Sequence, residues 1–303
     1  MGVHRYEDKR LYYMNLFQLS FQFQNIRALA LDLDGTILHT DASLGTYTKE
    51  TLRLCIEQGI TLIFCTGRSP EGAEAYRAAI GASGPMVFYN GACVVDVPAG
   101  EVLQTTLLEK EVVLACLSLV RKEDLHFQVY TPDNRLYYER DRPEAGAYEK
   151  RTGVHGTVVD IERLFTAPPR GTPHGSCYPG VIKAMVIASP EQLSLVERFL
   201  DERYGPAVYH TRSHDTYLEI LSPAVSKGKA LARALELRGL TKEQTLAFGD
   251  GENDLPLLDV AACLVAPENA DPRLKERACQ VVPSCDEEGP ARFIRRYVLK
   301  TET

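Results

Sequence analysis

The chain has 303 residues, of which 45% are hydrophobic and 25% are charged, and its formal net charge is −7. This balance is typical of a globular protein with one or two domains and excludes a disordered, collagen-like or coiled-coil chain. An acidic chain lacks the positive charge of a general nucleic-acid binder, and no apolar run approaches the ~18–20 residues that span a membrane. We therefore expect neither nucleic acid nor a membrane among its partners.

The first 24 residues predict an N-terminal extension rather than a secretion signal. Charges of both signs stand in residues 5–10, polar residues interrupt the apolar stretch from Leu11 to Phe23, and no cleavage site of small residues follows. The eight cysteines form no CxxC pair. Together these features predict a cytoplasmic protein whose cysteines are reduced.

Strand and helix patterns alternate along residues 26–89. Short apolar runs predict three buried parallel strands: Ile26–Leu31, Ile60–Cys65 and Met86–Tyr89. A helix over Thr48–Gln58 separates the first two strands, with Gly59 just beyond its end. Ser69-Pro70 predicts the start of a second helix, which ends near Gly81. A βαβαβ series of this kind predicts a parallel sheet with right-handed crossovers.

Hairpins replace the alternating pattern after Asn90-Gly91. Turn residues separate two pairs of apolar runs, Cys93–Val97 with Val102–Leu107 and His126–Tyr130 with Leu136–Tyr138. Residues 142–180 are rich in Gly, Pro and His and have weak periodicity, so we expect an irregular segment there. Further strands, and a helix that begins at Ser189-Pro190, complete an α+β module of roughly 130 residues.

The parallel pattern resumes after Ser222-Pro223. A helix over Lys229–Arg238 is followed by short strands that alternate with helices: Thr245–Phe248, Cys263–Val265 and Gln280–Val282. The predicted fold class is therefore α/β, a Rossmann-like parallel-sheet core with an inserted α+β domain. The predicted parts are an N-terminal extension (1–24), the core (25–90 and 223–303) and the inserted domain (91–222).

Two aspartates follow the first predicted strand. Asp32 and Asp34 stand in the sequence Asp32-Leu33-Asp34-Gly35-Thr36, at the carboxyl end of the strand, where open α/β sheets bind ligands. Two carboxylates that converge on one point repel each other unless a cation lies between them, so a hard divalent metal is expected. The alternative is a plain turn, because Asp and Gly also favour turns.

Two further segments predict an anion site. Thr66-Gly67-Arg68 follows the second strand and precedes a helix, where a hydroxyl, free backbone N–H groups and a helix N-terminus can bind phosphate. An ordinary capping loop is the alternative. Lys227, in Ser226-Lys227-Gly228, stands at a helix start, where a cation is unfavourable unless it faces a bound anion. The alternative there is a solvated surface lysine.

A second acidic cluster follows the strand Thr245–Phe248. Its sequence is Gly249-Asp250-Gly251-Glu252-Asn253-Asp254, which makes Asp250 and Asp254 candidate metal ligands. An EF-hand loop that starts at Asp250 is excluded, because its twelfth position is Ala261 rather than a glutamate. Capping of the next helix by Asp254 is the remaining alternative.

Taken together, the four segments resemble the motifs of the haloacid dehalogenase-like (HAD) hydrolase superfamily, in the Cof-type phosphatase group with a type IIB cap. The resemblance covers about residues 26–92 and 217–290. Tyr89-Asn90-Gly91-Ala92 is similar to the segment that leads into the cap, and Tyr217-Leu218-Glu219-Ile220 to the segment that leaves it. One departure is visible: the group often has the sequence MGNA where this chain has Pro267-Glu268-Asn269-Ala270. The effect of Pro267-Glu268 on this loop stays open.

The resemblance implies a Mg²⁺-dependent phosphatase that acts on a small phosphorylated metabolite, with a sugar phosphate as the favoured substrate. It implies that Asp32 is the nucleophile that forms an aspartyl-phosphate and that Asp34 is the general acid and base. Mg²⁺ is expected on Asp32, the backbone carbonyl of Asp34 and Asp250, with Asp254 in the outer shell.

The resemblance also assigns the phosphate-binding groups. Thr66, Gly67 and nearby backbone N–H groups are expected to hold the phosphoryl oxygens. Lys227 is expected to offset charge on both the nucleophile and the phosphate, which makes it a catalytic as well as a binding residue. Asn253 and Asn269 are weaker candidates for positioning. The cap, residues 91–222, is expected to determine substrate specificity.

Two alternatives to a phosphatase remain open at this point. Relatives with this cap include phosphomutases, which hold a second phosphate, and convergent cap arginines would be their signature. The candidates are Arg121, Arg135, Arg140 and Arg212. A non-catalytic sugar-phosphate sensor is the other alternative. The simplest indication of a sensor would be loss of the nucleophile, but Asp32 is present. The sequence predicts neither the physiological substrate nor the oligomeric state.

Overall fold

The structure, a computed structural model, describes Phe23, residues 25–167 and residues 177–301. The chain divides into two compact units. The first contains the described residues of Met1–Cys65, Tyr76–Gly84 and Leu231–Thr303, and the second contains those of Thr66–Ala75 and Pro85–Ala230. The predicted extension, apart from Phe23, lies outside the described residues. The predicted domain limits, 25–90 with 223–303 and 91–222, stay predictions.

Sixteen strands and eight α-helices are formed by the described residues. The strands are β1 (Ala28–Leu31), β2 (Thr61–Phe64), β3 (Gly84–Phe88), β4 (Cys93–Val97), β5 (Glu101–Thr105), β6 (Leu108–Glu109), β7 (His126–Tyr130), β8 (Leu136–Tyr138), β9 (Gly156–Val158), β10 (Gly180–Val181), β11 (Lys183–Ile187), β12 (Tyr209–His214), β13 (Tyr217–Leu221), β14 (Thr245–Phe248), β15 (Cys263–Pro267) and β16 (Gln280–Val282). The helices are α1 (Thr46–Glu57), α2 (Pro70–Ile80), α3 (Lys110–Lys122), α4 (Pro143–Thr152), α5 (Pro190–Arg203), α6 (Lys227–Arg238), α7 (Pro272–Arg277) and α8 (Gly289–Phe293). Short 3₁₀ helices lie at Tyr89–Gly91, Ile161–Phe165, Gly205–Ala207, Lys242–Gln244, Glu252–Asp259 and Cys285–Glu287, and π-helical turns at Leu33–Ile37 and Ile294–Leu299.

A five-stranded parallel sheet is the centre of the first unit. Its strand order is β16-β15-β14-β1-β2, and β1 pairs in parallel with both β14 and β2. Every residue of β1 and β14 is buried, as expected for parallel strands that are covered on both faces. The predicted α/β class with a parallel core is therefore confirmed.

The third predicted strand of that sheet belongs elsewhere. Strand β3 lies in a separate three-stranded sheet with the order β3-β4-β5. The chain turns sharply after β3 because Tyr89, Asn90 and Gly91 all have positive φ angles. That turn brings β4 back alongside β3. The prediction that β3 is a strand of the five-stranded parallel sheet is therefore wrong, although the backbone N–H of Thr66, two residues after β2, donates to the carbonyl of Val87 in β3.

Two helices lie within two residues of their predicted limits, at Thr46–Glu57 and Pro70–Ile80. Helix α1 buries one stripe of side chains, at Thr48, Leu52 and Cys55 among others, and Gly59 follows its end with a φ of 77°. Helix α2 begins at Pro70, and Ser69 Oγ accepts a hydrogen bond of 3.1 Å from the backbone N–H of Gly72.

A mixed six-stranded sheet is the main element of the second unit. Its strand order is β12-β13-β11-β7-β8-β9, with antiparallel pairing except between β8 and β9. Buried side chains of α3 and α5 pack with this sheet in one hydrophobic core. Helix α5 starts at Ser189-Pro190, as predicted, with a capping box between Ser189 and Gln192. This unit has the α+β character predicted for residues 91–222, while the limits of that module stay a prediction.

Residues 142–167 are more regular than predicted. Helix α4, the short strand β9 and a 3₁₀ helix lie in this segment, so the expectation of an irregular stretch is wrong there. The helix signals were Pro143 at its first position and Gly153, with a φ of 72°, just after its end. Only Ala145 and Tyr148 of α4 are buried, which explains the weak periodicity. Residues 168–176 of the predicted segment lie outside the described residues.

Six of the eight cysteines are free thiols, and five of these are buried. The sulfur atoms of Cys263 and Cys279 are bonded to each other, so the prediction of reduced cysteines is wrong for this pair. No helix among the described residues is long and apolar enough to cross a membrane.

Candidate active site

Three carboxylates of the first unit converge beyond the carboxyl ends of β1 and β14. Asp32 follows β1, Asp250 follows β14 by two residues, and Asp254 lies in the next 3₁₀ helix. One oxygen atom from each carboxylate lies within 4.8 Å of the other two. The two strands are parallel neighbours whose last residues, Leu31 and Phe248, stand opposite each other. Strand pairing thus places acids that are 218 positions apart at one point.

The turn after β1 is shaped around this cluster. The hydroxyl oxygen of Thr36 lies 3.2 Å from Oδ1 of Asp250 and 3.4 Å from Oδ2 of Asp32, so this buried side chain connects the two acids. Gly35 has a φ of 74°, and a Cβ atom at this position would overlap the Asp250 carboxylate. Glycine is therefore needed here both for the backbone conformation and for the close approach.

Asp254 stabilises the loop that carries Asp250. Its Oδ2 accepts hydrogen bonds of 3.0 Å from the backbone N–H groups of Asp250 and Gly251. The side chain is completely buried. Asp254 therefore caps the helix start and also contributes an oxygen to the acidic cluster, while its role as a metal ligand stays a prediction.

The other two predicted residues of this region are less buried than Asp32 and Asp254. The side chain of Asp34 is exposed and its carboxylate is not part of the three-acid cluster. Asn253 is half-buried, with its side-chain oxygen close to Gly251.

Asn269 joins the loop after β15 to the turn after β1. Its Nδ2 donates a hydrogen bond of 2.8 Å to the carbonyl oxygen of Gly35, and its Oδ1 accepts one of 2.9 Å from the backbone N–H of Cys285. The residues before it, Pro267-Glu268, form a turn that the backbone N–H of Ala270 closes on the carbonyl of Pro267. The departure from the group's usual sequence therefore leaves Asn269 bound to the aspartate turn.

In the second unit, the loop Thr66-Gly67-Arg68 is bonded along its whole length. The backbone N–H of Thr66 donates to Val87 and its carbonyl accepts from Asn90, both at 3.0 Å. The hydroxyl oxygen of Thr66 accepts a hydrogen bond of 3.1 Å from the backbone N–H of Arg68. Thr66 is completely buried, and hydrogen bonds of its backbone and hydroxyl hold the loop within this unit.

Lys227 is the first residue of α6 and only 1% exposed. The alternative of a solvated surface lysine is therefore wrong. Its backbone is packed against Gly91, which has a φ of 102°: a Cβ atom on Gly91 would overlap the carbonyl oxygen of Ser226 and lie 2.9 Å from the Lys227 nitrogen. The turn at Tyr89–Gly91 thus supports both the Thr66 loop and the start of α6.

Four residues near the acidic cluster or near the Thr66 loop were given no role in the site by the sequence. They are Thr36, Asn90, Lys183 and Glu219. Thr36 and Asn90 stand inside recognised segments, but their hydrogen bonds depend on strand pairing. Lys183 gave a usable signal, because a lysine within the apolar run Ile182–Ala188 is out of place in a buried strand.

Comparison with known proteins identifies the class of enzyme. The family model of haloacid dehalogenase-like hydrolases matches residues 29–294. A Haemophilus influenzae protein is 32% identical over 274 residues, which are 89% of this chain and 96% of that one. The 5-amino-6-(5-phospho-D-ribitylamino)uracil phosphatase YwtE of Bacillus subtilis is 26% identical over 283 residues, 89% and 97% of the two chains. The solved structure of a HAD subclass IIB sugar phosphatase matches with a TM-score of 0.71 at 20% identity, over 89% of this chain and 98% of that one.

The chain belongs to the haloacid dehalogenase-like hydrolase family. The predicted resemblance, the α/β fold class with a cap and the class of HAD-type phosphatase are confirmed. Enzymes of this type typically use a divalent metal ion, and the cluster of Asp32, Asp250 and Asp254 offers it oxygen ligands.

Proposed function

We propose that the protein is a Mg²⁺-dependent phosphatase that hydrolyses a small phosphorylated metabolite through an aspartyl-phosphate on Asp32. The observation that carries this proposal is the approach of the Asp32, Asp250 and Asp254 carboxylates to within 4.8 Å of one another. A sugar phosphate is the favoured substrate, supported by the relative that acts on 5-amino-6-(5-phospho-D-ribitylamino)uracil. A cytoplasmic location remains a prediction of the sequence.

The donor set fits Mg²⁺, which prefers oxygen ligands and keeps several waters. Asp32, Asp250 and the backbone carbonyl of Asp34 would hold the ion. Asp254 would act from the outer shell, because its Oδ2 already accepts two backbone hydrogen bonds. When bound, the ion supplies positive charge that reduces the repulsion between an anionic nucleophile and an anionic phosphate.

The two aspartates after β1 take different roles because their surroundings differ. A carboxylate oxygen of buried Asp32 forms a bond to phosphorus as the bond from phosphorus to the leaving oxygen breaks. Asp34, whose side chain is exposed, donates a proton to that leaving oxygen. It then takes a proton from the water whose oxygen attacks phosphorus, which breaks the Asp32–phosphorus bond and releases inorganic phosphate.

We expect the phosphoryl oxygens to be held by Thr66, Gly67, Lys227 and Asn253. Thr66 and Gly67 offer a hydroxyl and backbone groups in an ordered loop, and Lys227 offers a positive charge from a buried position. Asn253 positions the phosphate from the acidic loop. These groups would stabilise the charge that develops on the transferring phosphoryl group.

A substrate screen tests the proposed function. Release of inorganic phosphate is measured over a panel of sugar phosphates, nucleotides and pyridoxal phosphate, with and without Mg²⁺. We expect hydrolysis of at least one metabolite in Mg²⁺ alone, and none by the Asp32→Asn variant. A panel without turnover, or turnover that survives in Asp32→Asn, would contradict the proposal.

The role of Asp34 is tested by changing the leaving group. Asp34→Asn removes the proton donor, so the rate on an alkyl phosphate should fall by about 10²–10⁴-fold. The fall on p-nitrophenyl phosphate should be much smaller, because p-nitrophenolate leaves without a proton. Equal losses on the two substrates would contradict the assignment.

The phosphomutase alternative receives no support from the candidate arginines. Each of the four makes an ion pair with a carboxylate of its own unit: Arg121 with Glu139, Arg135 with Asp133, Arg140 with Asp124 and Arg212 with Glu197. A mutase needs convergent cations for a second phosphate, whereas these cations already have partners. Phosphatase therefore remains the proposed activity.

A further inference from the structure

A buried ion pair lies between two central strands of the second unit. Lys183 of β11 and Glu219 of β13 are joined by a bond of 2.9 Å between Nζ and Oε1, and their side chains are only 2% and 5% exposed. The strands are antiparallel neighbours in which Met185 stands opposite Glu219, so Lys183 is the diagonal neighbour on the same face. Both residues are ionisable groups that are rarely buried without a partner.

Three neighbouring side chains surround the ion pair. The second carboxylate oxygen of Glu219 accepts a hydrogen bond of 2.9 Å from Nδ2 of Asn90. The Nζ of Lys183 lies 5.6 Å from the ring centre of Tyr89 and 5.4 Å from that of Tyr130. Burial raises the pKa of both phenols well above the ordinary value, so the rings stay neutral and Glu219 supplies the opposite charge.

Lys183 also contacts the loop Thr66-Gly67-Arg68, which is proposed above to bind phosphate. Its Nζ donates a hydrogen bond of 3.3 Å to the carbonyl oxygen of Gly67. In a trans peptide the C=O and N–H groups lie in one plane and point to opposite sides of the C–N bond, so fixing the Gly67 carbonyl also fixes the direction of the Arg68 N–H. That N–H donates to the hydroxyl oxygen of Thr66 at 3.1 Å.

The hydroxyl of Thr66 therefore has a defined orientation. A hydroxyl group has one hydrogen and two acceptor lone pairs, and the N–H of Arg68 occupies one lone pair. The hydroxyl hydrogen must then point away from Arg68 and remains available as a donor. A charge-assisted bond to the Gly67 carbonyl also polarises the peptide whose N–H binds the hydroxyl.

We propose that Lys183, held by Glu219 and Asn90, is a positioning residue that sets the orientation of the Thr66 hydroxyl toward the phosphoryl oxygen of the substrate. This inference rests on the proposed function, in which Thr66 binds phosphate. Stability alone does not account for the pair, because well-packed apolar residues usually replace a buried ion pair without loss. The surrounding residues of β11 are apolar and would accept such a replacement.

The strained turn next to the pair is consistent with this role. Tyr89 and Asn90 adopt consecutive left-handed conformations, with φ angles of 51° and 58°. Non-glycine residues in this region cost free energy and concentrate at functional sites. The backbone N–H groups of the two residues donate to the carbonyls of Arg68 and Thr66 at 3.0 Å. The loop is thus held from its backbone by the turn and from Gly67 by Lys183.

A double-mutant cycle tests the proposal. The first change is the pair Lys183→Met and Glu219→Gln, which removes both charges together and keeps a side-chain carbonyl oxygen that can accept from Asn90. The second change is Thr66→Ala. The matched control is Arg121→Met with Glu139→Gln, which also removes both charges of an ion pair of this unit, where Nε of Arg121 donates a bond of 2.7 Å to Glu139. The constants kcat and KM for p-nitrophenyl phosphate are measured in saturating Mg²⁺.

We expect the Lys183/Glu219 change to lower kcat/KM by about 10- to 100-fold, the loss typical of a displaced site group. The control should leave kcat/KM near the wild-type value. In the Thr66→Ala background the Lys183/Glu219 change should cost almost nothing, because the hydroxyl it orients is gone. In Thr66→Ser, which keeps the hydroxyl, the full loss should return. Equal factors in the wild-type and Thr66→Ala backgrounds, or a loss no larger than that of the control, would overturn the proposal.

A binding measurement separates this inference from the proposed function. Inorganic phosphate is titrated into each variant in Mg²⁺ by calorimetry, and the same cycle is calculated from its dissociation constants. Phosphate binding without hydrolysis of any ester would defeat the proposed function, while coupling between Lys183 and Thr66 would still support the positioning role. Absence of phosphate binding by the wild type would overturn both. If the Met/Gln pair does not fold, Lys183→Met with Glu219→Leu replaces it, and failure of both pairs to fold would assign the residues to stability and overturn the proposal.

Discussion

Two buried polar groups of the molecule, the acidic cluster of the first unit and the ion pair of the second, solve different electrostatic problems. The acidic cluster places three groups of the same charge type within 4.8 Å of one another, on segments that follow strand ends. The ion pair places opposite charges 2.9 Å apart, on neighbouring strands. Like charges repel, and a cation relieves that repulsion, whereas opposite charges neutralise each other. We therefore expect the first arrangement to bind a cation and propose that the second positions Thr66.

The largest effect should come from breaking the acidic cluster at its nucleophile. Asp32→Asn keeps the volume of the side chain but removes the attacking oxygen anion, so kcat should fall by at least about 10³-fold. The melting temperature should stay close to that of the wild type. The control is Asp41→Asn, the same change at an exposed aspartate of this unit, which should retain full activity. A sizeable share of wild-type rate in Asp32→Asn would show that another group is the nucleophile.

The cation that the acidic cluster is expected to bind is tested next. EDTA should abolish activity and added Mg²⁺ should restore it, whereas Ca²⁺ should inhibit because its larger and looser coordination shell disturbs the geometry of the reaction. Asp250→Asn should raise the Mg²⁺ concentration for half-maximal rate by at least about 10-fold. Rate is measured against metal concentration for wild type and variant. Full activity in EDTA would remove the metal from the mechanism.

A third experiment concerns the turn Tyr89–Gly91, which contacts the Thr66 loop and the start of α6. Gly91→Ala forces a positive φ on alanine and overlaps the Ser226 carbonyl, whereas Gly100→Ala meets only the conformational cost because no atom lies within 4 Å of its Cβ position. We expect Gly100→Ala to lower the free energy of unfolding by about 1–2 kcal/mol. Gly91→Ala should lose about 1–3 kcal/mol more, the usual cost of overpacking. Urea denaturation measures both, and equal losses would contradict the close packing of Gly91.

The smallest effect is expected from an ion pair outside both the acidic cluster and the Lys183–Glu219 pair. The Arg212–Glu197 pair joins Nη2 to Oε2 at 2.6 Å, with about a third of the arginine side chain exposed. Arg212→Gln should therefore change the free energy of unfolding by less than about 1 kcal/mol and leave kcat/KM unchanged. Loss of a phosphomutase activity in this variant, assayed with a bisphosphate activator, would instead revive the alternative of a second phosphate site.

Much of the fold could be predicted because its signals are local. The apolar run before Asp32, the glycine after α1 and the Ser189-Pro190 start of α5 each act within a few residues. Helix α4 escaped prediction because only two of its side chains are buried. The membership of β3 in a second sheet also escaped, because it depends on a turn that begins at Tyr89, a bulky residue that seldom adopts a positive φ angle.

The candidate site also combines features that local sequence predicts with features that depend on the tertiary structure. The residue types and their positions after strands were enough to predict that Asp32, Asp250 and Asp254 lie near one another, since parallel strands present their carboxyl ends at one edge. The carboxylate of Asp34, predicted in the same group, lies outside the three-acid cluster. The sequence could not show that Thr36 connects two of these acids, that Asp254 holds the Asp250 loop, or that Lys183 meets Glu219 and Gly67. Those contacts join residues that are far apart in the chain or depend on the rotamer of a side chain. Periodicity and turn chemistry are short-range and can be read along the chain, whereas strand register, burial and the pairing of distant charges exist only once the tertiary structure has formed.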